Sequence, residues 1–207
     1  MSAEEVHQVG LSEVARIQKN MEEIARSVGF SGSLKEFIVQ MKNDMKFSLD
    51  SKEKLLECFK GIIYDHIDPK LPKLFSSFPK SKLEVREMPF NGPGGMCNPP
   101  APDGSRPGIF YANLNEPEKR KTFGFVALSL HEACPGHHFQ LSIMTESDLP
   151  NVRKLPDFLR MSIIPYHLPI YNAFCEGWGL YAEYLGEELG AYRDSYELFG
   201  RYLEEIF

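Results

Sequence analysis

The chain has 207 residues, 43% of them hydrophobic and 25% charged, and a formal net charge of −6. That length buries one sizeable core, so a single domain over 1–207 is expected, with the composition of an ordinary soluble globule. An acidic balance with no basic stripe argues against a nucleic-acid partner, and the longest apolar stretch, Phe123 to Leu130, is far too short for a membrane span.

The opening MSAEEVHQ is acidic and polar, unlike a secretory or mitochondrial leader, so no targeting signal is expected within the chain. Cys58, Cys97, Cys134 and Cys175 are widely separated and form no C-x-x-C pair, which fits reduced thiols or two disulfides. The pattern divides into a helical segment 1–79, a strand-and-loop segment 80–115 and a second helical segment 116–207. The expected fold is therefore mainly α with a small β component.

Ser2 with Glu5 makes a capping box, and Val6, Val9, Val14, Ile17, Met21, Ile24 and Val28 then recur at helical spacing up to Gly29. Ser33 with Glu36 opens a second helix through Phe37, Met41 and Met45. Asp50 with Glu53 opens a third, through Leu55, Phe59, Ile62 and Ile63 to Pro69. These stripes read as packing faces. His7 and His66 have no ligand-type neighbours and receive no role.

After Pro79 the pattern changes. Leu83 and Val85 alternate with charges, which predicts a short half-exposed strand over Lys82–Met88. Asn91 to Gly108 is rich in Gly and Pro. It reads as a linker or as a stiff functional loop. Arg106 within it can hold a substrate carboxylate through paired N–H donors or bond loop carbonyls. A second strand is predicted over Gly108–Leu114.

Asn115-Glu116-Pro117 then starts a helix whose apolar face is Phe123, Val126, Ala127 and Leu130. It delivers HEACPGHHFQ, His131 to Gln140. A His-Glu pair followed by more histidines is the residue set that binds zinc and polarises a water. In H-E-x-x-H the histidines stand one turn apart, whereas His137 lies six residues after His131. At ~100° per residue a regular helix would turn His137 away from His131, and would carry His138 ~10 Å along the axis. Pro135 has no N–H to donate and Gly136 tolerates unusual backbone, so a looped-out Pro135-Gly136 restores the facing position. The other reading is a helix ending at Cys134 with ordinary surface histidines.

Leu149 to Pro169 is broken by four prolines, and His167 between two of them reads as a loop residue. Tyr171 to Leu189 is helical and offers Glu176, Glu183, Glu187 and Glu188 as a third ligand. Glu187 and Glu188 fall in a charge-dense late turn. Glu176 and Glu183 share a face, and Gly177 and Gly179 beside Glu176 suggest a close neighbour. Glu176 is assigned as ligand and Glu183 as the partner that orients a His through its other ring nitrogen. The last helix, from Ala191, carries Tyr192, Tyr196, Phe199, Leu203 and Ile206 on an apolar side and stops at Phe207 without a cap. That predicts an open apolar surface and self-association or marginal stability.

Three stretches together, EEVHQVGLSEVARI, PDGSRPGIFYAN leading into HEACPGHHFQ, and EGWGLYAE, resemble the zincin-like family catalogued as domain of unknown function 885. The family pattern reads HEA-x-PGHH-x-Q and EGWALYAE, so Gly179 stands where Ala is common. Family members extend further at both ends, which marks this chain as part of a longer architecture. The resemblance implies a zincin-like helical domain with a short edge strand or hairpin beside the metal-binding helix. It implies that Tyr111 to Asn113 borders the cleft and pairs with the substrate backbone. It supports Glu176 as third ligand.

The expected function is zinc-dependent hydrolysis, most naturally of a peptide substrate. Zn²⁺ would be held by His131, His137 and Glu176, with Glu132 as general base and Tyr181 or His138 as oxyanion donor. The alternative is a catalytically incomplete metal-binding or structural remnant of such an enzyme.

Overall fold

The computed structural model describes residues 1–150, 154 and 172–206. The expected broken stretch beyond Pro150, with His167, and the terminal Phe207 lie outside the described residues. The chain is mainly helical with one three-stranded sheet. It forms two compact units, each drawn from segments far apart in sequence: Met1–Ser51 with Glu116–Ala127 and Tyr192–Phe207, and Lys52–Asn115 with Leu128–Ala191. No helix among the described residues is long and apolar enough to cross a membrane.

In the first unit, α1 (Ala3–Ser27) opens on the expected capping box, with Ser2 N donating to Glu5 at 2.6 Å and Glu5 N to Ser2 Oγ at 3.2 Å. α2 (Leu34–Asn43) opens the same way on Ser33 and Glu36. The α1 stripe buries only its second half. Ile17, Met21, Ile24 and Ala25 are buried, whereas Val6, Val9 and Val14 are exposed. α7 (Ser195–Glu205) is capped by Asp194, whose carboxylate accepts from the amides of Tyr196 and Glu197. Its apolar side does not lie open as expected. Phe199 is fully buried, edge-on to Phe37 at 4.8 Å, and Tyr202 joins the same cluster with Tyr196, Leu203 and Ile206 packed against it. α1 and α2 supply the partners that the linear pattern could not show, so the ground for self-association through this helix is gone.

In the second unit, α3 (Lys52–Lys60) passes into a π-helical stretch, Gly61–Ile67, and a 3-10 stretch, Asp68–Lys73. The helix therefore continues past Pro69. His66 takes a structural part, its Nε2 lying 2.6 Å from the Ala191 carbonyl oxygen. The sheet has the order β1-β3-β2, with β1 Leu83–Glu87, β2 Gly95–Asn98 and β3 Gly108–Ala112. β1 runs parallel to β3 and β2 antiparallel. Thus the Gly/Pro-rich stretch is neither linker nor plain loop, since it contains a strand.

This topology corrects one expectation. β3 is the central strand, not the edge. Ala112 O accepts from Met88 N at 2.8 Å, and Asn113 N donates to Gly94 O at 3.0 Å. The backbone from Tyr111 to Asn113 is committed on both sides and cannot pair with a substrate. The edge strand beside the His-bearing helices is β2.

Candidate metal centre

α4 (Phe125–Glu132) is apolar nearly all round, and Val126, Ala127 and Leu130 are fully buried. A helix of that composition is held on every side. Its last turn presents His131 and Glu132. The chain then breaks from helix over Ala133–Gly136, with a cis Cys134–Pro135 peptide, and resumes as α5 (His137–Glu146). The break is thus four residues, wider than the expected looped-out pair. Its hydrogen bonding nevertheless has a surplus of two. Phe139 N donates to Ala133 O at 3.3 Å, spanning six residues where a helix spans four. The same surplus brings His137 back opposite His131, with ring centroids 4.7 Å apart and planes at 89°.

Gly136 is what allows so tight a return. A Cβ there would lie 1.8 Å from His131 O and 2.3 Å from Leu130 O. Only a residue without a side chain lets the bend press against the end of α4.

α6 (Asn172–Leu189) brings the carboxylates. Glu176 Oε2 lies 3.3 Å from His131 Nε2 and 3.5 Å from His137 Nε2. Donor atoms of His131, His137 and Glu176 all fall within 4.8 Å of one another. Tetrahedral ligands at ~2.0–2.1 Å from one zinc ion stand about 3.3 Å apart, so the two shorter separations match that geometry. Two turns along the same face, Glu183 is only 4% exposed, and its Oε1 lies 2.8 Å from His131 Nδ1. When Nδ1–H donates to that carboxylate, Nε2 turns its lone pair toward Glu176 and His137. Burial of His131 disfavours its charged form, but the Glu183 bond and the charges of Glu183, Glu132 and Glu176 outweigh it. Together they hold its pKa above the ordinary value.

Between those carboxylates sits Gly179. A Cβ there would come within 2.6 Å of the His131 ring, whereas at Gly177 it would meet nothing within 4 Å. The two glycines therefore predict opposite outcomes. Gly177→Ala should raise the melting temperature, since Ala is favoured over Gly by ~1 kcal/mol in a helix, and leave metal affinity unchanged. Gly179→Ala should make the His131 ring shift against its Glu183 bond and lower metal affinity measurably but modestly, since the family pattern commonly carries Ala here and the ring can yield. A metal titration in which the two variants behave alike would contradict this.

Glu132 is anchored from β2: its Oε2 accepts from Cys97 N at 2.8 Å. Cys97 and Cys134 flank this carboxylate, and no cysteine of the chain is in a disulfide. Burial, with Glu132 and Cys134 nearby, pushes the Cys97 thiol well up. Burial and Asp68 do the same for Cys134. Both remain neutral thiols and leave the His-His-Glu set intact.

Other expected site residues are placed elsewhere. His138 is 1% exposed and packs on the backbone at Gly108, with Ser142 Oγ 3.4 Å from its Nδ1. Burial lowers its pKa to about 4, against a small opposing effect of the Ser81 backbone and Glu146. The ring is buried against Gly108 and Ser142 rather than exposed to a substrate. Tyr181 is exposed, stacked on Tyr184, and about 140° round the helix from Glu176. Arg106 bonds loop carbonyls, Pro99 O at 2.7 Å and Pro107 O at 3.0 Å, rather than facing a substrate. Asn113 is buried, with Nδ2 donating to Gly92 O and Oδ1 accepting from Asn115 N, so it ties the loop and borders no cleft. Tyr111 lies half-buried on β3 between Arg86 and Met96. Two contributors escaped the sequence reading. The Cys97 amide is a backbone group and leaves no sequence signal, whereas Trp178, whose indole N–H donates to Pro135 O at 2.8 Å, stood in plain view as the single tryptophan.

Comparison with known proteins supports the fold. A solved structure described as that of a "putative lipoprotein" from Colwellia psychrerythraea is 34% identical, with a TM-score of 0.84. It matches 100% of this chain, which spans 35% of that protein's length. No curated protein matches. Residues 1–207 match, from end to end, the family described as bacterial protein of unknown function (DUF885), and the chain belongs to that family.

Proposed function

We propose that the chain carries the centre of a zinc-dependent hydrolase acting on peptide bonds. The observation that carries this reading is the convergence of His131, His137 and Glu176 donor atoms within 4.8 Å, with Glu132 one residue from the first of them. Two imidazoles and a carboxylate are a donor set that zinc accepts in catalytic sites, where a fourth position is kept for water or substrate. A zinc ion there would supply Lewis acidity and lower the pKa of a coordinated water toward ~7.

The chain's own residues would then do the following. Glu183 holds His131 by Nδ1 and keeps Nε2 directed at the shared site. The Cys97 amide holds Glu132 by Oε2, which leaves Oε1 to take a proton from the attacking water and return it to the leaving amine. β2 is an edge strand held beside Glu132 through the Cys97 amide, and pairing of an extended peptide along such an edge is a mode that would favour a peptide over a compact substrate. A second reading is a unit that binds metal without turnover; the chain's spanning 35% of its solved relative favours keeping it in view.

Zinc titration of the purified chain and its variants separates these readings. His131→Ala, His137→Ala and Glu176→Ala should each abolish stoichiometric binding. Glu183→Gln, which keeps every ligand, should cost only the ~10–100-fold typical of a supporting partner. Binding with no hydrolysis of unstructured peptides would leave the second reading standing. Equal zinc content in the wild type and all three alanine variants would remove the first.

A further inference from the structure

The carbonyls of the bend between α4 and α5 must find donors, since a buried peptide group left unpaired is costly. In an uninterrupted helix Pro135 O would accept from Phe139 N. Here Phe139 N is given to Ala133 O, and Gln140 N to Gly136 O. Pro135 O is thereby deprived of its helical partner. The Trp178 indole N–H takes that place at 2.8 Å.

Trp178 belongs to the helix that carries Glu176, two residues further on. That part of α6 is sparsely buried. From Ala173 to Leu180 only Gly179 is buried, and the Glu176 side chain is 62% exposed. Two glycines in the same turns weaken the helix further. Burial therefore cannot set where Glu176 stands relative to the histidines. Among the described residues, two hydrogen bonds tie it to the bend and to α5 on either side of Glu176: Trp178 to Pro135 O, and Gln140 Nε2 to Phe174 O at 3.4 Å. The first is the shorter, and its acceptor lies two residues before His137.

We propose that Trp178 is a positioning residue for the metal centre, its indole N–H fixing the register between the Pro135 bend and the helix bearing Glu176. This rests on the metal-binding reading above. It adds that the affinity of the three ligands is set by a residue that contacts no metal. Removing that N–H should leave His131, His137 and Glu176 present but let Glu176 drift from the two imidazoles.

The chain has one tryptophan, so a tryptophan analogue supplied to an auxotrophic host replaces this residue alone. Benzothienylalanine exchanges the indole N–H for sulfur and keeps the ring's shape, so folding is preserved; Trp178→Phe is the genetic counterpart. Zinc affinity is read by competition with a chromophoric chelator, and the ligand geometry by the visible bands of the cobalt-loaded protein. The analogue should bind zinc at least tenfold more weakly, and its cobalt bands should lose intensity, while the metal-free melting curve stays close to wild type. Unchanged affinity and cobalt bands with only a lowered melting curve would overturn the proposal and make Trp178 ordinary packing. Should the wild type itself bind neither zinc nor cobalt, the metal reading fails first and the proposal falls with it.

Discussion

Glu132→Gln is expected to cut peptide hydrolysis by roughly a hundred- to ten-thousandfold, the range associated with losing a general acid-base group, while zinc content stays at the wild-type level. The structure makes this substitution unusually clean. Glu132 is fixed through one oxygen by the Cys97 amide at 2.8 Å. A glutamine can place its carbonyl oxygen on the same donor, so the side chain keeps its position and β2 keeps its bond. What changes is the other end, where an NH₂ that cannot accept a proton replaces Oε1. Geometry is conserved and basicity is lost. Assaying turnover and zinc content on one preparation checks both halves. A variant that turns over at the wild-type rate would move the base elsewhere, and one that loses its zinc would make Glu132 a ligand.

The convergence of His131, His137 and Glu176 is legible in the sequence because helix geometry constrains it. A spacing of six positions from His131 to His137 is incompatible with one regular helix and a shared ion, and Pro135-Gly136 is the pair able to resolve that. Glu183 could be read as the partner of a His because two turns of helix place it under Glu176, and its burial is what such a role requires. The errors came from what periodicity does not carry. β3 is central rather than the expected edge: Gly108–Ala112 has no charged residue and is buried almost throughout, while Glu84, Arg86 and Glu87 mark β1 as an edge. β2 hid among prolines and glycines because four residues of strand leave too short a pattern. For α7 the apolar side was visible but its partner was not, since α1 lies at the other end of the chain. His138 and Asn113 have residue types that suit a site, and only burial distinguishes them from site residues.

Gly136→Ala should be among the most damaging glycine substitutions in the molecule, and the one that bears on the candidate metal centre. Most glycine substitutions fail through backbone angles or through a side chain that must step aside. Here the added carbon would stand 1.8 Å from His131 O, 2.3 Å from Leu130 O and 2.4 Å from the carbonyl carbon of His131. All three are backbone atoms, so no rotamer change relieves the collision. Either the bend opens or the last turn of α4 moves, and both displace His131 itself. Overpacking of this kind costs about 1–3 kcal/mol in stability. The effect on metal should be larger. Ligand distances in metal sites hold to about 0.2 Å, and a shift of an ångström removes a donor outright. Gly136→Ala is therefore expected to bind zinc no better than His131→Ala, although it retains every ligand, and to melt several degrees lower without metal. Gly177→Ala, where the same methyl meets open space, is the control for helix propensity. Zinc titration and thermal melting of both variants decide the matter. Wild-type affinity in Gly136→Ala would mean that the bend can open without moving His131, and that the close return of the chain at Gly136 has no bearing on the metal centre.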